Sequence, residues 1–101
     1  MIPDLETLTN HLVAALARQE VAADLERRAA LALAEAEEEL EDAPGDERLR
    51  AARDHADEVW RDALGRLQDA RQHRNEIESE IRLLEPGAVH LAYLRHARAG
   101  G

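Results

Sequence analysis

The side chains best able to do chemistry in this sequence are five histidines, His11, His55, His73, His90 and His96, in a chain that contains no cysteine. Without a thiolate there is no disulfide framework, no sulfur-ligated zinc and no cysteine nucleophile. His55 with Glu58 and His73 with Glu76 make two His-x-x-Glu pairs. A spacing of three sets each pair on one helical face, with donor types that a divalent metal accepts. The pairs lie eighteen residues, five turns, apart, so they share a face but stand ~27 Å from each other along an axis. One ion cannot take both within a chain. In an antiparallel dimer of the second helix centred near Leu64, His55 would oppose His73 of the other copy, which makes a site between chains geometrically possible. The face lies beside the apolar stripe, where a solvated histidine next to a glutamate is the ordinary finding. No metal site, cofactor or catalytic residue is therefore assigned.

Carboxylate-bridged metal sites of the ferritin-like bundles use Glu-x-x-His on inward-facing positions; here the order is reversed and the face is peripheral. Arg50 to His55 spells Arg-x-x-x-x-His, a spacing similar to the motif of the HEPN ribonucleases, which are also helical. That resemblance covers six residues and implies a ribonuclease with Arg50 and His55 as its site. A step of five places the two side chains ~140° apart on an uninterrupted helix, and an acidic surface suits RNA poorly. Nothing resembles a glycine-rich phosphate loop, a serine nucleophile elbow or a carboxylate pair in an apolar cleft.

The elements that carry these residues are helices. Only Asp42-Ala43-Pro44-Gly45-Asp46 interrupts the helical pattern of the first 85 residues. Pro44 cannot continue a helix, Gly45 can take the left-handed conformation that stops one, and Asp46 is a good N-cap ahead of Glu47. The reading is one helix from about Asp4 to Glu41, with Pro3 suited to its first turn, and a second from Glu47 to Leu84. Glu85-Pro86-Gly87 then breaks the chain before a short third helix, Ala88 to Ala97. At ~1.5 Å per residue each long helix reaches close to ~60 Å, and so short a turn makes them antiparallel. The predicted fold is all-α: a single domain made of a long, coiled-coil-like αα-hairpin with a short C-terminal helix, completed into a bundle by oligomerisation.

Helix 2 carries the stripe Leu49, Ala52, Ala56, Val59, Ala63, Leu67, Ala70, Arg74, Ile77, Ile81 and Leu84, with one extra step of four that favours a nearly straight helix. Helix 1 shows two stripes, Leu5, Leu8, Leu12 and Leu16, then Val21, Leu25, Ala29, Leu33, Ala36 and Leu40. They are offset by roughly a third of a turn at ~100° per residue, which predicts either a bend near Arg18-Gln19-Glu20 or an extra packing partner for the first half. Folding about Pro44-Gly45 pairs Leu40 with Leu49, Leu33 with Ala56, Leu25 with Ala63, Leu12 with Ile77 and Leu5 with Leu84. The alanines near the turn allow close axes, whereas Val89, Leu91, Tyr93 and Leu94 return a third apolar segment to the open end. A slim two-helix arm on a three-helix base is expected.

The composition, 45% hydrophobic but only 2% aromatic with no Phe, suits helices and argues against β-sandwiches and barrels. Net charge is −9, from 22 acidic residues against 13 basic ones that are all Arg. A nucleic-acid partner is not expected. The acids cluster at Glu35, Glu37, Glu38, Glu39, Glu41, Asp42, Asp46 and Glu47, read as a solvated helix end and turn, the alternative being a docking patch for a basic partner. No run approaches the ~20 apolar residues of a membrane span, and Met1-Ile2-Pro3-Asp4 lacks the basic and apolar regions of a signal peptide. A cytoplasmic protein is expected, of bacterial or phage origin by its arginine- and alanine-rich usage.

Two helices leave much apolar surface uncovered, and small single-layer domains need staples or association. A homodimer or a protein partner is thus predicted, through Trp60 and Leu64 on the solvent flank of the helix 2 stripe beside Leu67, and Val13, Ala17 and Leu31 on helix 1, tryptophan being enriched at the energetic centres of interfaces; the alternative is that Trp60 caps the edge of the intramolecular core. The predicted function is a non-enzymatic interaction module: an assembly, adaptor or inhibitory protein. A length of about 100 residues, an antiparallel hairpin and high-GC composition are also similar to the WXG100 class of small secreted proteins, which implies a secreted helical hairpin. The chain departs from that class in reading Ala43-Pro44-Gly45 where Trp-x-Gly stands, and in placing Ala97 rather than an acid four residues after Tyr93.

Overall fold

A computed structural model describes residues 4–100, so the expectation for Pro3 lies outside the described residues. Three helices follow one another, α1 (Leu5–Asp42), α2 (Glu47–Leu84) and α3 (Ala88–Gly100). No strand occurs among the described residues, and the two long helices pack against each other. Local chemistry sets their ends. Asp4 caps α1, its Oδ1 accepting from the Thr7 amide at 2.8 Å, and Asp46 caps α2 by accepting from the Arg48 amide at 2.9 Å, each satisfying a first-turn N–H that has no partner in its helix. Between them Ala43 donates to the Leu40 carbonyl and Asp46 to the Ala43 carbonyl at 3.0 Å, a tight turn with Pro44 at its second position. No described glycine has a positive φ. The expected left-handed stop at Gly45 is therefore corrected: the missing N–H of Pro44 and the Asp46 cap end one helix and start the next.

The chain divides into two compact units, one of residues 4–21 with 68–100 and one of residues 22–67. In the first unit all three helices contribute to one core: Leu8, Leu12, Ala15 and Leu16 of α1, Ile77 and Ile81 of α2, and Ala88, Val89 and Ala92 of α3, with Leu5 and Val13 packed against it. Leu12 and Ile81 are both fully buried. The second unit is a two-helix hairpin whose buried residues are Ala29, Ala63 and Leu67.

Burial follows most of the expected positions and departs from them at Val21 and Leu25 on α1 and at Ala52, Val59 and Leu84 on α2. On α1 one run of covered positions, Leu5, Leu8, Leu12, Ala15, Gln19, Ala22, Glu26, Ala29, Leu33, Ala36 and Leu40, alternates threes and fours without a break, and Thr9, Val13, Leu16, Ala23, Asp24 and Ala30 widen it. On α2 the matching run is Leu49, Arg53, Ala56, Trp60, Ala63, Leu67, Ala70, Arg74, Ile77 and Ile81, with Asp57, Leu64, Gly65 and Glu78 covered beside it. Ala52, Val59 and Leu84 are exposed, as are Val21 and Leu25. The extra step of four on helix 2 is therefore corrected, and the second stripe of helix 1 keeps Ala29, Leu33, Ala36 and Leu40 but loses Val21 and Leu25. α1 runs as one α-helix through Arg18-Gln19-Glu20, and its covered face is continued by Gln19 and Glu26 rather than by Val21 and Leu25.

The turn fixes the register between these faces, and in most layers it sets a bulky side chain against an alanine. Counting outward from the turn between α1 and α2, Arg53 in the second unit stands level with Ala36, Leu33 with Ala56, Trp60 with Ala29, Glu26 with Ala63 and Leu67 with Ala22. In the first, Gln19 pairs with Ala70 and Arg74 with Ala15, before Leu12 meets Ile77 and Leu8 meets Ile81. Alanine lets the backbones approach while the longer partner lies across it.

Candidate functional site

The densest polar grouping ties α3 down in the first unit. Glu78 is 6% exposed, a depth at which a carboxylate needs partners. It accepts the Tyr93 hydroxyl proton, and lies within 3.7 Å of the Arg74 guanidinium and 3.4 Å of that of Arg82. Burial pushes the Tyr93 phenol above its ordinary value; the hydrogen bond to Glu78 and the charge of that carboxylate add to the rise, and Arg74 opposes it. A second tie joins His96 Nε2 to Glu20 Oε1 at 2.8 Å. Buried nearby, Gln19 Oε1 and Arg74 Nε have no hydrogen-bond partner. This charge-balanced group joins three helices. Sequence reasoning missed it, although Arg74, Glu78 and Arg82 repeat at four-residue steps, the spacing of helical ion pairs.

Two hollows open on the same unit. Leu5, Thr9, Ala88, Leu91 and Leu94 floor a groove of about 400 Å³ between α1 and α3, with Glu6, Arg95 and Arg98 on its rim. A shallower hollow of about 270 Å³ has His11, Ala14, Ala15, Arg18 and His73 along its walls. Glu76, the expected companion of His73, accepts instead from Gln72 Nε2 at 3.3 Å, and His55 is exposed. Among the described residues no group of three or more His, Cys, Asp or Glu is placed to hold a metal ion. Arg50 donates through Nε to the Pro44 carbonyl at 3.1 Å, which makes it a brace for the turn.

The interface candidates fall in different places. Trp60 is not on a solvent flank. It occupies the covered stripe of the second unit, where its indole N–H donates to Glu26 Oε1 at 3.0 Å. Leu67 is buried and Leu64 partly so, while Val13 packs on the core of the first unit. Ala17 and Leu31 are exposed, Leu31 by 62%. Other large aliphatic side chains that face solvent include Val21 at 63% and Leu91 at 59%. Compared with known proteins, the chain matches no family model, no curated protein and no solved structure.

Proposed function

We propose that this protein is a non-enzymatic helical interaction module of the cytoplasm, serving as an assembly, adaptor or inhibitory protein that self-associates or docks on a protein partner. The observation that supports this reading is the placement of large aliphatic side chains. Leu31 and Leu91 stand about three-fifths exposed on helices whose covered stripes lie elsewhere, although the same chain fills inward positions with alanine, arginine and glutamine. A contiguous apolar patch rimmed by charge marks a contact surface, and Leu91 joins Leu94 in a groove bordered by Glu6, Arg95 and Arg98. A net charge of −9 disfavours nucleic acid, and among the described residues no helix is long and apolar enough to cross a membrane.

Sedimentation velocity and thermal melting over a hundredfold dilution test the reading. Association supplies burial that the single chain lacks, so the melting temperature should fall on dilution. A compact monomer with an unchanged melting temperature, retained by no protein partner, would refute it.

A further inference from the structure

Resting on that reading, we propose that the groove between α1 and α3 is the receptor for the acidic segment of α1, residues 31–38, of a second copy of this chain. Two eight-residue stretches carry the argument. Leu31, Ala34, Glu35 and Glu38 are exposed on α1, and Leu91, Leu94, Arg95 and Arg98 are exposed at the same relative spacing on α3. Laid parallel and in register, leucine meets leucine, alanine meets leucine, and both glutamates meet arginines. Residues three and four apart share a helical face, so each set of four presents as one strip.

The charges on both strips lack partners within the chain. Among the described residues no ion pair or side-chain hydrogen bond involves Glu35, Glu38, Arg95 or Arg98, although eight other pairs form. α3 has no acidic residue at all in a protein of net charge −9. α1 has no basic residue in its last turn and a run of acids before it, against the sense of its dipole. At physiological salt, charges beyond ~8 Å are screened, so the local match outweighs the repulsion between two acidic molecules. Leu31 and Ala34 lie over Leu91 and Leu94 in the groove, and Arg95 and Arg98 hold the carboxylates on a rim where they outnumber its one acid, Glu6.

The test is sedimentation velocity on the full chain, wild type against Arg95→Glu/Arg98→Glu and Glu35→Arg/Glu38→Arg, with circular dichroism to confirm that each variant keeps its helix content. All four positions are exposed, so the fold should tolerate both changes. Wild type should associate, more weakly at high salt, and each variant alone should associate roughly tenfold or more weakly. An equimolar mixture of the two variants should regain association, because the new glutamates of one meet the new arginines of the other. A mixture no stronger than its components overturns the contact. Self-association equal to wild type in both variants also overturns it but leaves the broader reading standing, whereas a wild-type monomer at every concentration removes self-association altogether.

Discussion

Replacing Val59 and Trp60 by alanine, one at a time, decides which of two adjacent positions belongs to the covered face of α2. Val59 is 46% exposed and loses two half-wetted methyl groups, a cost of about 0.5 kcal/mol. Trp60 lies largely covered in the layer it shares with Ala29. A tryptophan that covers about 150 Å² is worth roughly 4 kcal/mol at ~25 cal/mol per Å², and residual compactness of the unfolded chain lowers this to about 3. Ala29 is too small to fill the space left behind, so little is recovered by collapse. Trp60→Phe keeps most of the area and removes only the N–H that reaches Glu26, at a cost of about 1 kcal/mol. Urea unfolding followed by far-ultraviolet circular dichroism, at a protein concentration low enough to hold association constant, ranks the three variants. Against a total stability on the order of 5–15 kcal/mol, the order Trp60→Ala, Trp60→Phe, Val59→Ala is readily resolved. Equal losses for Val59→Ala and Trp60→Ala, or a neutral Trp60→Ala, would refute the assigned stripe.

Gly65 sits inside α2 with open space where a Cβ would stand, so Gly65→Ala should raise stability by about 0.5–1 kcal/mol through helix propensity alone; urea midpoints check it. Ile81→Ala, at a fully buried core position, should cost about 3 kcal/mol, whereas Leu83→Ala, at 87% exposure, should change the midpoint by less than about 0.5. Tyr93 is the only tyrosine, so tyrosinate absorbance reports it without ambiguity and should show titration above 10.0. Because the folded chain holds that proton more tightly than the unfolded one, the added stability is complete below the ordinary phenol value and is lost as pH rises through the raised one; Tyr93→Phe should flatten this alkaline decline in melting temperature.

What the sequence discloses about this fold is what neighbouring residues decide. Pro44, Asp46 and the Glu85-Pro86-Gly87 break act within a turn of themselves, so the order of helices could be read directly, although α3 continues to Gly100. The lateral assignment failed where residue type and position disagree. Val21 and Leu25 look like core residues and face solvent, while Gln19, Glu26 and Arg53 look like surface residues and lie in covered layers. Following apolarity from residue to residue jumps off the face whenever such a side chain spans an alanine. A strict alternation of threes and fours, held through the polar positions, would have kept Trp60 inside. The ties of α3 are a different matter, since Tyr93 to Glu78 and His96 to Glu20 depend on how a third helix rolls, and no spacing within one helix encodes that.

The alternation of bulky residues with alanine across the hairpin gives the second unit teeth like those of a key. Sliding α2 by one layer would set Trp60 on Leu33 and Leu67 on Glu26, while Ala56 would face Ala36 and Ala63 would face Ala29. Crowded and empty layers would then alternate, and neither kind can relax into the other. Misalignment is penalised at every step instead of only at the turn, so the turn is free to vary. Added residues between Ala43 and Asp46 should bulge outward and leave the helices in phase, whereas removing three or four from within either helix would put every later tooth against the wrong notch. Length changes over the history of such a chain should therefore collect at Pro44-Gly45, the one stretch where the two helices do not have to agree.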